Sequence, residues 1–184
     1  MKKSLTQLSL VISLCFLLCF SISCQNQEAM AELEEFKAQA EIEEQNKEIV
    51  HRFFEEVWKQ GKLDVIDEIF STDYVGYMHG KLDIIGSDGL KQYVIKMRII
   101  FPDLKPTIEA QIAEGDKVLT RWITTGTHKA ELMGIPPTGI QVKWTGLSFY
   151  RIAGGKIVER WKNMDILGLV QQLGMELKPK EAKK

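Results

Sequence analysis

The sequence predicts an α+β fold, a curved antiparallel sheet with helices packed on its concave face. Three observations predict it. Val118–His128, Gln141–Ile152 and Lys156–Met164 are runs of alternating, β-branched or aromatic residues and read as strands. Ala153-Gly154-Gly155 joins the last two runs and supplies the positive φ that a tight hairpin turn requires, while a Gly-Pro-rich loop, Met133–Gly139, joins the first two. The segments upstream read as helices with one apolar face each to bury.

Taken from the start, residues 1–23 read as an export signal. Lys2 and Lys3 precede an apolar run, Leu8–Phe20, too short to span a bilayer comfortably, and Ser21-Ile22-Ser23-Cys24 follows. Small residues before a cysteine resemble a bacterial lipoprotein processing site with Cys24 as the acylated residue. Ser21 stands where such sites usually carry leucine, and the same Ser-x-Ser pattern suits ordinary signal peptidase cleavage. The expectation is an exported protein of the cell envelope, periplasmic or on the outer membrane, anchored through Cys24. All three cysteines (Cys15, Cys19, Cys24) lie in or at the end of this segment. The body therefore has no internal disulfide, zinc ribbon or thiol nucleophile, and coheres by burial alone. Removing Lys2 and Lys3 from the 24 Lys+Arg leaves 22 against 25 Asp+Glu, a formal charge of −3 with no basic block, which argues against nucleic acid.

Residues 24–45 are acidic and rich in Ala, Gln and Glu; they read as a tether, helical throughout or only part of the time. Residues 46–174 form the folded domain and 175–184 a charged tail, whose end, from Lys178, should be disordered. Within the domain, Asn46–Gly61 is an amphipathic helix carrying Ile49, Val50, Phe53, Phe54, Val57 and Trp58 on one stripe. A short helix, Leu63–Phe70, and a short strand, Asp73–Met78, ending at His79-Gly80, come next. Ser87–Phe101 is a third helix, with Ser87 as its N-cap, Asp88 in its first turn and Pro102 beyond its end. Leu104–Glu114 is a further strand, and a last helix, Ile166–Leu173, is closed by Gly174.

Beyond this order, the pieces Gly115-Asp116-Lys117-Val118, Arg121-Trp122, Gly126-Thr127-His128, Met133–Gly139, Tyr150-Arg151-Ile152, Gly155–Trp161 and Gln172-Leu173-Gly174 closely resemble the SnoaL-like polyketide cyclase (ester cyclase) family. The resemblance covers about Lys47 to Gly174. It implies a nuclear transport factor 2-like cone, a homodimer through the outer sheet face, and cofactor-independent acid–base chemistry, an intramolecular aldol closure. In such cyclases an acidic side chain on the last strand acts as base and then acid. By register from Gly155-Lys156-Ile157, that position holds Lys162 here. An ammonium cannot act as a base unless burial lowers its pKa by several units.

The candidate residues follow from this mismatch. Lys162 could be a depressed-pKa base, a Schiff-base amine or an anion-binding group; the ordinary expectation is a lysine at a strand end with its head in water. Asp165, three residues on, is the nearest carboxylate replacement, against the plainer role of N-cap to the last helix. His128 suits proton transfer, or else a backbone hydrogen bond where the chain enters the Met133–Gly139 loop. Glu159 should face away from Lys162, in an ion pair with Arg121 or Arg151. Trp122, Trp144, Tyr150, Phe54, Trp58, Tyr93 and His79 are the expected lining of a pocket for a small apolar organic molecule. The three histidines lack metal-ligand spacing, so no metal is expected.

Overall fold

A computed structural model describes residues 2–176 and 178, with side chains from residue 27 onward. The chain divides into two units, Met1–Ile42 and Glu43–Lys184. The first lies within helix α1 (Lys2–Arg52), so the tether is helical, and Met30, Leu33 and Phe36 on it are exposed. The expectations placed on the side chains of the export segment, on Cys24 and on the end of the charged tail lie outside the described residues. Among the described residues no helix is long and apolar enough to cross a membrane.

In the second unit, the end of α1 is held to a distant turn. Asn46 Nδ2 donates to the Gly115 carbonyl at 2.9 Å, and the Gly115 N–H donates to Glu43 at 3.0 Å. The helix then changes winding: Phe53–Lys59 is a π-helix. The apolar pattern gives a reason. Ile49, Phe53 and Val57, like Val50, Phe54 and Trp58, recur every four residues, and four α-helical residues overshoot a full turn by about 40°. A wider π turn holds both rows against the core, where Val50, Phe53, Phe54 and Val57 are buried.

Helix α2 (Asp64–Ile69) leads into strand β1 (Phe70–Met78). A second strand that the sequence reading did not anticipate, β2 (Lys81–Ile85), pairs with β1 through a two-residue turn, His79 and Gly80, with φ of 51° and 76°. Both turn residues are left-handed, as the favoured hairpin turn demands. Helix α3 (Gly86–Ile100) starts one residue early. Ile85 occupies the N-cap position without a side-chain bond, and Ser87, expected as the cap, is buried within the first turn. Strands β3 (Lys105–Glu114), β4 (Lys117–Thr127), β5 (Gln141–Ala153) and β6 (Lys156–Met164) and helix α4 (Ile166–Gln172) complete the unit.

The six strands form one curved sheet ordered β2-β1-β6-β5-β4-β3. Every junction is antiparallel except β1 with β6, which is parallel. The antiparallel expectation thus holds for four of the five junctions. β1 and β6 run parallel because everything from β2 to β5 intervenes between them, so no hairpin joins the two. Alternation fixes the inner face: Val118, Thr120, Trp122 and Thr124 of β4, and Val142, Trp144, Ser148 and Tyr150 of β5, are buried. The π segment and α3 cover this face.

One irregularity decides which side of β6 faces in. Opposite the Arg151–Ile152 step, β6 advances from Ile157 to Glu159, so Val158 is an extra residue, a bulge. Ile157 is buried, and after the bulge Arg160 and Lys162 are buried in turn. Without it, strict alternation from Ile157 would send Glu159 and Trp161 inward and both cations out.

Candidate functional site

Between the inner sheet face, the π segment and α3 lies a cavity of about 50 Å³. Six of the seven residues expected to line a pocket do so: Phe54, Trp58, Tyr93, Trp122, Trp144 and Tyr150. His79 does not. It is exposed at the β1–β2 turn, with its backbone N–H donating to the Lys162 carbonyl at 3.1 Å. Aromatic rings narrow the interior well below the several hundred Å³ usual for organic ligands, so an occupant of any size must shift side chains or sit partly in the mouth.

Trp122 shows how the sequence shapes this wall. Its indole lies over Gly146, the residue facing it on β5; a Cβ there would come within 2.2 Å of the ring and 2.7 Å of the Asn163 carbonyl. Its Nε1–H donates to Ser148 Oγ at 3.0 Å. Gly146 and Ser148 therefore serve to seat the indole.

Arg160 and Lys162 project into the cavity from β6. Sequence reasoning passed over Arg160, although its place two residues from Lys162 puts it on the same side of the strand. Contrary to the ordinary expectation, the Lys162 head is not in water: the residue is 7% exposed. Its Nζ donates to the Tyr93 hydroxyl at 2.6 Å and lies 4.6 Å from the centre of that ring. Burial brings the amine down from the ordinary lysine range to about 7; Arg160 pushes the same way, and Asp83 opposes them. Burial pushes the Tyr93 phenol up to about 12, so it stays neutral. Arg160 is 3% exposed, its guanidinium 5.8 Å from the Phe53 ring centre and its Nε without a hydrogen-bond partner. Desolvation opposes its charge, but Tyr74, Tyr150, Tyr93 and Asp83 hold it charged. Among the described residues, no Asp or Glu lines the cavity.

The other two candidates lie elsewhere. Asp165 is exposed and caps α4, accepting from the Gly168 N–H at 2.7 Å. It borders a shallow groove with Arg121 and Leu147, residues on the outer face of the sheet. His128 is fully buried, and its Nδ1 accepts the Thr138 N–H at 3.3 Å, which leaves the proton of a neutral ring on Nε2. That ring packs against Phe101, and its role is to hold the loop that follows β4. Glu159 pairs with Arg151 at 2.9 Å on the side away from Lys162. Among the described residues, no three His, Cys, Asp or Glu side chains gather as metal ligands would. The cavity thus brings together Lys162 and the aromatic lining, and leaves out Asp165, His128 and His79.

Chemically, the cavity offers a buried guanidinium, an amine that exchanges its proton near neutrality, and a neutral phenol bonded to that amine. The model of the SnoaL-like polyketide cyclase family matches residues 48–173. The chain is 26% identical over 122 residues to the aklanonic acid methyl ester cyclase DnrD of Streptomyces peucetius, a match over 65% of this chain and 84% of that one. Among solved structures, it is similar to a protein of Acidithiobacillus ferrooxidans assigned to the polyketide cyclases. The two are 33% identical, with a TM-score of 0.65, over 71% of this chain and 94% of that one. A Jannaschia protein assigned to the SnoaL-like cyclases superposes with a TM-score of 0.69 at 26% identity, over 74% and 96% of the two chains.

Proposed function

Because the chain belongs to the SnoaL-like polyketide cyclase family, we propose that it is a small-molecule pocket protein of the cell envelope. It binds an apolar organic molecule and does not run the carboxylate-driven aldol closure of the cyclases it resembles. One observation carries this reading: Lys162, which by resemblance stands where those cyclases carry their acid, lines the cavity, and among the described residues no Asp or Glu lines it. The proton-abstracting carboxylate is replaced by a cation, while the apolar walls remain.

The lowered basicity of Lys162 supports a second reading, an acid–base catalyst. At about 7 the amine is partly neutral at physiological pH. It would take a proton from the carbon beside a carbonyl while the Tyr93 hydroxyl and Arg160 hold the enolate oxygen. The enolate carbon would attack a second carbonyl of the same molecule, and the ammonium would return its proton to the alkoxide so formed.

The two readings divide on Lys162→Asp, assayed with an enolisable polyketide ester. Under the binding reading the parent shows no turnover and the variant gains some; under the catalytic reading the parent turns over and the variant loses it. Location and assembly are tested together by native mass spectrometry of protein taken from its own membrane. An acyl chain on Cys24, a bound small molecule and a two-fold subunit count are the expected result. A bare monomer without an acyl group would remove both the anchor and the outer-face dimer.

A further inference from the structure

Arg160 and Lys162 sit side by side on the inner face of β6, both more than nine-tenths buried, and among the described residues no acid lines the space they face. Buried charges in proteins are ordinarily paired, because an apolar interior solvates a lone ion poorly. The polar groups acting on Arg160 are mostly tyrosines: Tyr93 from α3, Tyr150 from β5 and Tyr74 from β1. Asp83, exposed on β2, acts on both cations only through space. Arg160 Nε is a donor with no acceptor, in a side chain that lines the cavity.

We infer that the cavity takes its ligand by a carboxylate, a small apolar monoanion seated between the Arg160 guanidinium and the Lys162 amine. The inference rests on the pocket reading above and names the chemistry of its ligand. A planar guanidinium edge matches the two oxygens of a carboxylate, and the free Nε supplies one of the two parallel bonds. Trp58, Trp122 and Met97 give the remainder of the ligand an apolar bed. The negative charge of Asp83 disfavours a second anionic group, and the narrow, mainly apolar interior disfavours a strongly hydrated one.

The pair also makes binding responsive to proton supply. An anion beside Lys162 favours its ammonium form, so binding above the free amine's pKa requires a proton from solvent. Below pH 7 that proton is already in place.

Calorimetric titration of the full chain with butyrate and benzoate, against 1-butanol and benzyl alcohol, tests this. At pH 6 the acids should bind roughly 10–100-fold more tightly than the alcohols, the range expected of charge-assisted hydrogen bonds. Acid affinity should fall up to about tenfold per pH unit above 7, while the alcohols stay level. Lys162→Met should abolish this pH slope but retain a preference for acids through Arg160. Alcohols binding as tightly as their acids would overturn the carboxylate assignment and leave the pocket reading standing. If neither acids nor alcohols bind, both fall. Since the acid–alcohol comparison uses the unmodified chain, a variant that failed to fold would not shield the proposal.

Discussion

The two faces of β6 treat charge in opposite ways. Outside, Glu159 meets Arg151 at 2.9 Å, and Trp161 stacks on Tyr77 with its ring plane 8° from parallel. Inside, Arg160 and Lys162 have tyrosine neighbours and no ion-pair partner among the residues lining the cavity. A single strand supplies both arrangements, so the chain can place acids opposite bases where folding alone is at stake. The inner face gives up that compensation beside an open space, as functional sites do when a ligand is to complete them.

The largest test of this contrast removes the inner charge. Below pH 7, Lys162 must be buried as an ammonium, and the drop from 10.5 to about 7 corresponds to at most about 5 kcal/mol of lost stability. The unfolded chain binds the extra proton between pH 7 and 10.5, so native stability should rise with pH across that window. Lys162→Met should therefore stabilise the fold at pH 6 by about 3 kcal/mol, after loss of the bond to Tyr93, and flatten the rise. Urea unfolding at pH 6 and pH 9.5 reads both effects; a less stable variant with the slope intact would mean that the amine is solvated after all.

The next test addresses the wall. Gly146→Ala drives a methyl into the Trp122 indole and against the Asn163 carbonyl, which should cost about 2 kcal/mol by overpacking. It should also alter the tryptophan emission of the cavity; an unchanged denaturation midpoint would show that the indole yields freely. The smallest effect belongs to the outer face. Glu159→Gln breaks a solvent-screened pair and should leave the midpoint unmoved within error, whatever the pH above 5. A large loss there would erase the distinction between the two sides.

Much of this architecture was legible in the residues. The bounds of β4, β5 and β6 follow their alternation to within a residue, and the helix stripe named the side chains that the π segment buries. What escaped was set by local irregularity. β2 is five residues long, is interrupted at Asp83, and follows a turn whose first left-handed residue is a histidine rather than a glycine. Lys162 looked solvated because lysines usually are; the bulge at Val158 turns it inward. The irregular helix had a trace in the sequence too, in apolar residues repeating every four positions rather than drifting between three and four. Asp165 and His128 were chemically apt candidates, yet capping and loop contacts, which depend on tertiary placement, hold them outside the cavity.

The parallel junction of β1 with β6 also governs how the domain is made. Phe70 finds its strand partner at Ile157 and Met78 at Lys162, more than eighty positions later. A ribosome must therefore deliver almost the entire domain before its early hairpin has a neighbour to dock on, and closing so long a loop slows folding. Until then, β1 offers a bare strand edge to any other nascent chain. Clipping the protein before residue 156 would strand that edge permanently, leaving a sticky fragment in place of a smaller working domain.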